Sequence, residues 1–507
     1  MRMIMAYTPN TFVKLCNVPF DRTQTNQVRF TTTALQTAYF LSVVTHAYTN
    51  FSYQRKDSVI RIPANIDTIL DSNYVMYNNS QFTGRYMYAF IVKMEYLSDD
   101  VTAVYIETDV YQTWYLADCT LKTSFVQREH EATDTAGNNL VDEGLELGEI
   151  VINGNNAFAG MGDMDIIIAS TTSDEGLVGD GAIYNNVYAG VFFYGTHTDV
   201  GAIGDFIASR TDLAEIIAIF QVPHLITNCG SGLSLLTSFT NNINITAPSR
   251  PATLDGYTPK NAKLKTFPYS FLYVHNNCGN SAIFKYELFN GSAPAFIIFG
   301  GVAPNAVYKM IPMNIYSAGY AQPDYDQGLT LGGFPVCAWK GDVFSTWMAQ
   351  NSGSVIVGLA GGALTLGAGV VAANPLMVAG GVLAIGGSLA SISAKSLQPP
   401  QANGAVNSPN ANTSNEWNDF ILCPKSIRAD YAAIIDGYFE MYGYKQNKLK
   451  VPNVSSRPYW NYVKTIDVNI TGDIPAEDME KLKKIFDNGV TFWHAAANVG
   501  NYALNNH

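Results

Sequence analysis

The sequence predicts a mainly β protein with some α-helix, interrupted by one long apolar segment. Two long β-prone stretches, Tyr86–Tyr96 and Val101–Tyr115, follow one another across a Ser-Asp-Asp turn. A second hairpin is predicted where Phe267–His275 and Ala282–Phe289 flank an Asn- and Gly-containing turn. The third observation is Val355–Ala394, an apolar stretch without any charged residue.

The two N-terminal stretches show only part of the alternation that a half-buried strand requires. In the second one, Val104 and Ile106 alternate imperfectly with Thr102 and Glu107. We expect one face of this sheet to be buried and the other to face a channel or a neighbouring molecule.

The middle of the chain has a mixed pattern. Asp165–Ala169 and Ala189–Tyr194 are short apolar runs typical of buried strands. Asp199–Phe220 is predicted as two short helices, because several of its apolar residues fall on one helical face. Strands resume with Ala295–Phe299 and Ala306–Ile311.

The last part of the chain begins with a linker and continues with helices. Gln398–Ser414 is rich in Pro, Asn and Ser and carries no charge, so it is interpreted as an extended hinge or loop. Arg428–Tyr442 and Ile474–Asp487 are predicted helices. The second has acidic residues early and lysines late, which suits the helix macrodipole.

The composition indicates that much of the surface is covered by other subunits. Tyr and Phe number 30 and 26, whereas Asp, Glu, Lys and Arg make up only 14% of the 507 residues. Such a low charged fraction is unusual for the surface of a monomer. The net charge of −12 argues against a face that grips DNA, although it suits a wall that DNA slides past.

The N-terminus and the cysteines favour synthesis in the cytosol. The opening residues MRMIMAYTPNTF lack the charged region, apolar core and cleavage site of a secretory signal, so no such signal is expected. The six cysteines contain no C-x-x-C pair and are interpreted as reduced, buried thiols.

The apolar segment has the dimensions of a membrane hairpin. It is divided by the turn-forming pair Asn374-Pro375 into two halves of about 20 residues, and each half would form a helix about 30 Å long. Its ten glycines between Gly353 and Gly387 weaken a helix in water by about 1 kcal/mol each relative to Ala. The segment is therefore predicted to be stored in one place and deployed into a membrane in another.

Individual residues of this segment are assigned to two groups. The residues assigned to the membrane-active loop are Val355, Ile356, Leu359, Leu364, Leu366, Val370, Asn374, Pro375, Leu376, Val378, Val382, Leu383, Ile385 and Leu389. The loop glycines are Gly358, Gly362, Gly380, Gly381 and Gly386, of which some form small-xxx-small patterns that allow helices to approach closely. Three other interpretations are a buried helical hairpin, a permanent membrane anchor and a glycine-rich assembly interface.

No catalytic centre, cofactor or metal is predicted, and we do not expect an enzyme. The seven histidines show no H-E-x-x-H pattern and no metal-ligand spacing with cysteine. Arg128-Glu129-His130-Glu131 is the one dense cluster of titratable groups. Consecutive residues of a strand point to opposite faces, so the cluster is interpreted as an ion-paired strand end or a subunit contact.

A basic and aromatic patch near the C-terminus offers a possible nucleic-acid contact, although an interface-lining patch is the default interpretation. It consists of Lys445, Lys448, Lys450 and Arg457, interleaved with Tyr442, Tyr444, Tyr459 and Trp460.

Several long motifs stand near the two ends of the chain. Near the N-terminus they are IETDVYQTW from Ile106, SFVQREH from Ser124 and DEGLELG from Asp142. Near the C-terminus they are YGYKQNKLKVPN from Tyr442, WNYVKT from Trp460, IFDNGVTFWH from Ile485 and NVGNY from Asn498. In sequence and in order these motifs resemble those of the tail-knob (distal tail tube) proteins of phi29-like short-tailed phages of Gram-positive bacteria, and residues 150 to 265 match this family least well.

The resemblance implies a hexameric tube of β-barrel-like tail-tube domains. A hydrophobic loop of each subunit plugs the lumen and later forms a pore in the host membrane for genome delivery. Gly353–Ser396 lies where the family has this loop, after DVFSTWMAQNS and before LQPPQANG. The implied partners are other subunits of a homohexamer, the lower collar or proximal tube, the tail tip, host membrane lipid, and genomic DNA that passes without specific binding.

The expected division of the chain follows from both arguments. Residues 1–150 form an N-terminal tube-wall β domain, 151–263 a mixed α/β domain, 264–340 a second β tube domain, 341–400 the hydrophobic loop, and 401–507 a part that returns to the tube wall. Two other functions remain open: a receptor-binding or cell-wall-degrading tail component, and a secreted pore-forming toxin. A receptor-binding or degrading component would suit the strand-rich body but gives no reason for the apolar segment. A secreted toxin would be expected to carry a signal.

Overall fold

A computed structural model describes residues 11–49, 58–79, 85–154, 156–170, 183–184, 187–188, 191–209, 215–240, 242–276, 279–291, 293–304, 306–313, 315–317, 320–322, 328–332, 334, 336–338 and 419–507. The chain divides into two compact units. Unit 1 comprises Met1–Glu146, Pro259–Leu264 and Asp430–His507, and unit 2 comprises Leu147–Thr258 and Lys265–Ala429. The five-part division expected from the sequence stays a prediction.

Strands dominate both units, which confirms the mainly β class. In chain order they are β1 (Thr11–Cys16), β2 (Asn26–Val28), β3 (Val44–Thr49), β4 (Val59–Ile62), β5 (Tyr74–Asn79), β6 (Tyr86–Ser98), β7 (Val101–Thr108), β8 (Cys119–Leu121), β9 (Ser124–Glu129), β10 (Ile150–Ile152), β11 (Ala157–Phe158), β12 (Met164–Ser170), β13 (Ile183–Tyr184), β14 (Val187–Tyr188), β15 (Phe192–Thr196), β16 (Ile216–Pro223), β17 (Ser234–Leu235), β18 (Asn242–Thr246), β19 (Ser270–His275), β20 (Ser281–Phe284), β21 (Ala295–Phe299), β22 (Tyr308–Pro312), β23 (Ile315–Ser317), β24 (Tyr320–Gln322), β25 (Leu329–Leu331), β26 (Val336–Ala338), β27 (Ile421–Ile427), β28 (Tyr444–Lys450), β29 (Trp460–Ile466), β30 (Ile470–Gly472) and β31 (Val490–Trp493).

The helices are fewer and mostly short. The α-helices are α1 (Thr33–Ser42), α2 (Ile66–Ile69), α3 (Leu116–Asp118), α4 (Val200–Ser209), α5 (His224–Thr227), α6 (Ala429–Tyr442) and α7 (Ala476–Asn488). A π-helix covers Tyr111–Tyr115, and 3-10 helices cover Ala262–Lys265, Tyr286–Leu288 and Ala496–Asn498. Among the residues that the structure describes, no helix combines the length and the apolar character that crossing a bilayer requires.

The first sheet of unit 1 is antiparallel, with strand order β3-β1-β5-β6-β7-β4. Successive side chains of a strand point to opposite faces, and here both faces are covered. Val75 and Ala89 belong to one apolar cluster, whereas Tyr74, Tyr88 and Phe90 belong to another that includes residues of α1. For this part of β6 the expected half-exposed sheet is therefore wrong, because Tyr88, Ala89 and Phe90 are all buried although they point to opposite faces.

The second sheet of unit 1 joins the two ends of the chain. Its order is β2-β31-β29-β9-β28, with β2 parallel to β31 and the other pairs antiparallel. Helix α7 contributes Leu482, Ile485 and Phe486 to an apolar cluster that also contains Val463 and Phe492 of the sheet. The early and late strands thus share one core, and a small β8–β30 pair adds to the unit.

Unit 2 contains three larger sheets around one apolar cluster. Their orders are β10-β27-β19-β20 with β11 also paired to β27, β17-β15-β12-β16-β26, and β18-β21-β22-β25. All seven residues of β12, the middle strand of its sheet, are buried, so both faces of the sheet are covered there. Two short hairpins, β13–β14 and β23–β24, complete the described strands of the unit.

Three predicted elements are corrected by the structure. The strand predicted over Ala282–Phe289 ends at Phe284 as β20, and a 3-10 helix follows at Tyr286–Leu288. Asp199–Phe220 contains one helix, α4, and then enters strand β16 instead of a second helix. The stretch Val101–Tyr115 leaves the sheet after Thr108 and turns into the π-helix. The buried carboxylate of Asp109 accepts hydrogen bonds from the backbone N–H groups of Tyr111 and Gln112, which ends the strand.

Candidate functional site

The predicted membrane-active segment, Val355–Ala394, lies outside the described residues together with all the loop residues and loop glycines assigned to it. The strands on either side of it in sequence are described. β26 pairs with β16 at the edge of one sheet, and β27 lies between β10 and β19 in another. Both flanking strands belong to unit 2, so the segment is an insertion between two elements of the same unit.

A buried carboxylate stands at the start of the C-terminal flank. Asp419 Oδ2 accepts a hydrogen bond of 3.2 Å from Gly160 N–H, and its Oδ1 accepts one of 2.7 Å from Phe420 N–H. Burial raises the pKa of Asp419 to about 6, against the opposing effect of these backbone donors. The apolar segment has no titratable side chain of its own, so Asp419 is the described group nearest to its C-terminal end that changes charge in mild acid.

The Arg128–Glu131 cluster is an ion-paired strand end, as predicted. Arg128 pairs with the fully buried carboxylate of Glu143, which also pairs with Lys263. Glu129 is buried and pairs with Lys450 Nζ at 2.5 Å. These contacts tie β9 to β28 and to the short Pro259–Leu264 segment within unit 1.

His130 is held neutral at the end of β9. Its Nδ1 accepts a hydrogen bond from Tyr462 N–H at 2.8 Å, so its Nε2 carries the proton and donates to the backbone oxygen of Glu440 at 3.0 Å. Burial lowers the pKa of His130 to about 3. The side chain is therefore a structural link between β9, β29 and α6, with no solvent-accessible role in acid–base chemistry.

The basic and aromatic patch does not form a continuous surface for nucleic acid. Tyr444 and Trp460 are buried, and Trp460 packs on Trp493 with ring centroids 5.1 Å apart. Lys450 is paired with Glu129, and Arg457 contacts His507 at 3.0 Å. Two of the four aromatic residues that would stack on bases, Tyr444 and Trp460, are therefore core residues of the sheet, whereas Tyr442 and Tyr459 are partly buried.

One cluster was missed by sequence reasoning. Asp165, His197 and His224 lie together in unit 2, and their ligand atoms all fall within 4.8 Å of one another. Burial alone would raise the pKa of Asp165, but hydrogen bonds from His197, Thr227, His224 and the Cys229 backbone lower it to about 2. The three residues are far apart in sequence, and only Asp165 stood at the end of a predicted strand, because His197 lies beyond the strand predicted to end at Tyr194 and His224 follows a stretch predicted as helix.

Comparison with known proteins agrees with the motifs at both ends of the chain. A family model described as the C-terminal domain of the tail knob protein gp9 of Bacillus phage phi29 matches residues 235–507. A second, described as the N-terminus of caudoviral major tail proteins, matches residues 9–118. The second match falls within unit 1 and covers its six-stranded sheet.

Similarity to individual relatives extends over nearly the whole chain. The tail knob protein gp9 of Bacillus phage phi29 is 25% identical, over 99% of this chain and 100% of the relative. The tail knob protein gp9 of Bacillus phage B103 is 26% identical over the same shares. The solved structure of the bacteriophage C1 tail knob protein, gp12, superposes with a TM-score of 0.64 over 97% of this chain and 98% of that one, at 15% identity, which shows a common fold.

These relatives are structural tail knob proteins and virion components, not enzymes. The match to the phi29 family covers residues 235–507, more than half of the chain. The chain therefore belongs to the phi29 tail knob protein gp9 family and is a structural component of a phage tail.

Proposed function

We propose that this protein forms the distal tail tube of a short-tailed phage, a homohexameric channel of β-barrel-like domains through which the genome is ejected. In this proposal Val355–Ala394 plugs the lumen before infection and then inserts into the host membrane as a pore. The observation that carries the proposal is the sequence from Val343 to Ala394, which contains no Asp, Glu, Lys, Arg or His. A segment of this kind, flanked by strands of one β-rich unit, is unusual in a structural tail protein unless a membrane is its destination.

The physics of the segment supports both storage and release. An exposed apolar patch larger than a few hundred Å² promotes aggregation, so the segment needs shelter in water. Six copies around a ring axis supply that shelter from a single chain type. Transfer of the same surface into lipid is favourable by roughly 25 cal/mol per Å², which drives release once a membrane is adjacent.

A strand edge of unit 1 that lacks a pairing strand supports assembly with further copies. The pairing of β5 with β6 ends at Phe90, so within the described residues no strand pairs with β6 from Val92 to Ser98 on that side, although helix α2 contacts β6. Val92, Tyr96 and Leu97 on this part of β6 are 44%, 52% and 48% exposed. Sheet proteins usually cover such an edge, and we assign it to the contact with a neighbouring subunit.

The remaining partners follow from the position in the tail. The proximal tube or lower collar and the tail tip are the proposed tail contacts, and host membrane lipid is the target of the apolar segment. Genomic DNA is proposed to pass without specific binding, because the net charge is −12 and Lys450 of the basic patch is held by the carboxylate of Glu129.

Electron microscopy of the purified protein tests the tube. We expect a hollow ring with six-fold symmetry. A monomer by light scattering at micromolar concentration, without prior denaturation, would contradict the proposal.

Charge substitutions test the apolar segment separately from the tube. Leu366→Asp and Leu383→Asp each place a carboxylate mid-span at a cost of about 2.5–3.5 kcal/mol for insertion. We expect each substitution to reduce leakage from liposomes while the ring still assembles. The control variant Leu366→Ala stays apolar and should cause nearly as much leakage as the wild type does. Equal leakage from all four proteins would show that the segment does not enter the bilayer.

A further inference from the structure

Three neighbouring strand ends in unit 2 bring one carboxylate and two imidazoles to the same place. Asp165 lies on β12, the middle strand of its sheet. His197 directly follows β15, and His224 directly follows β16 as the first residue of α5. Because β15 and β16 both pair antiparallel with β12, the end of β15 and the end of β16 lie beside the beginning of β12.

Both imidazoles point the same nitrogen at the same oxygen. His197 Nδ1 is 2.8 Å from Asp165 Oδ1, and His224 Nδ1 is 2.7 Å from that oxygen. The two ring centroids are 4.1 Å apart. Three potential ligand atoms therefore converge on one point from three different elements of the sheet.

The carboxylate of Asp165 is held in one orientation. Its side chain is fully buried, and its other oxygen, Oδ2, accepts hydrogen bonds from Thr227 Oγ1 at 2.6 Å and from Cys229 N–H at 2.8 Å. These two donors leave Oδ1 as the oxygen that faces the histidines. An oriented carboxylate with one oxygen committed to supporting hydrogen bonds is the usual arrangement of a metal-binding carboxylate.

We propose that Asp165 Oδ1 and the Nδ1 atoms of His197 and His224 bind a divalent transition-metal ion of the Zn²⁺ type. Two imidazoles and one carboxylate are a donor set that such ions prefer, with water in the remaining positions. The ion would replace the Nδ1 protons that now bridge the rings to the carboxylate. Tetrahedral ligands about 2.0–2.1 Å from zinc lie about 3.3 Å from one another, so each Nδ1 needs to move about half an ångström away from Asp165 Oδ1.

The surroundings supply access and a further negative charge. The side chains of His197 and His224 are 24% and 25% exposed, which gives an ion and its water molecules a route in. Asp163 Oδ1 lies 3.8 Å from Nε2 of His197, too far for a hydrogen bond, and adds a negative charge beside the site that favours a cation. The bound ion would tie together the ends of three adjacent strands of unit 2.

Metal titration of the full-length protein tests the site. After dialysis against a chelator, the untagged protein is titrated with ZnSO₄ by calorimetry and with CoCl₂ by visible absorption. We expect one Zn²⁺ per chain, a Co²⁺ d–d spectrum of a site with fewer than six ligands, and a rise in the unfolding midpoint on the order of 5 °C at a hundred-fold excess over Kd. His197→Ala and His224→Ala should each weaken Zn²⁺ binding at least about ten-fold and abolish the spectrum.

A second histidine–aspartate pair provides the matched control. His46 Nε2 lies 3.2 Å from Asp71 Oδ1 in unit 1 and belongs to no cluster of three potential metal-ligating groups among the described residues. His46→Ala should leave the stoichiometry, the affinity and the Co²⁺ spectrum unchanged. The proposal is wrong if the wild-type protein takes up no Zn²⁺, or if His46→Ala reduces binding as much as His197→Ala and His224→Ala do.

Discussion

Acidification is expected to destabilise unit 1 through His130. In the folded protein its Nδ1 accepts a hydrogen bond from Tyr462 N–H, so a second proton on the ring would face another donor in a fully buried site. Burial lowers its pKa from an ordinary value of 6.5 to about 3. Between these two values the unfolded chain binds a proton that the folded chain does not, so stability falls as the pH falls.

The size of the effect follows from the same pKa difference. Each pH unit below 6.5 lowers the free energy of unfolding by about 1.36 kcal/mol for one proton, which amounts to about 2 kcal/mol at pH 5.0. His130→Gln removes the titrating ring and keeps a side-chain N–H group that can donate to the oxygen of Glu440. At pH 7.5 the free energy of unfolding of the variant should be about 1–3 kcal/mol lower than that of the wild type, because the hydrogen bond from Tyr462 N–H is lost.

Urea unfolding at a series of pH values measures this prediction, with fluorescence of the buried Trp460 and Trp493 of the same unit as the signal. The stability gap between wild type and His130→Gln should narrow by about 2 kcal/mol from pH 7.5 to pH 5.0. His46→Gln is the control, because it also removes one histidine from unit 1 but a partly exposed one. Parallel pH profiles for wild type and His130→Gln would refute the reasoning.

Three further predictions concern the backbone, the assembly and DNA. Gly443→Ala should destabilise unit 1 by about 2 kcal/mol or more in urea unfolding. Gly443 has φ +64°, and a new Cβ would overlap the backbone oxygen of Glu129. The control variant Gly437→Ala, which places its Cβ in open space on α6, should stabilise unit 1 by about 0.5–1 kcal/mol. Leu97→Glu should shift the protein to smaller species in sedimentation velocity, while Ile434→Glu, which is also exposed but lies on α6, should not. In a filter-binding assay at physiological salt the assembled protein should not retain duplex DNA, and tight, salt-sensitive retention would contradict the proposed lumen.

The sequence predicts local elements well where one pattern dominates. The helices expected at Arg428–Tyr442 and Ile474–Asp487 are α6 and α7, with starts displaced by one or two residues. The strand expected at Ala295–Phe299 is β21 without any change of boundary. In these segments the spacing of the apolar residues and the flanking residues predict the same element that the tertiary contacts stabilise.

The failures occur where tertiary packing decides. Ile216–Phe220 fits a helical face, yet it pairs along β12 as part of a strand buried on both sides, where no alternation is required. The histidine cluster could not be predicted, since Asp165, His197 and His224 meet only through the pairing of three strands. Spacing along the sequence can identify metal ligands that lie on the same helix, strand or loop. These three residues lie on different elements, so no spacing motif identifies them.

Dye release from liposomes tests most directly whether the apolar segment is the pore former. The wild-type protein is compared with a variant that lacks residues 354–394, after both are shown to form the same ring by electron microscopy. We predict that the wild type releases the dye and that the deletion variant, assembled normally, does not. Equal release by both proteins would contradict the central claim and would place membrane activity in the β-rich units.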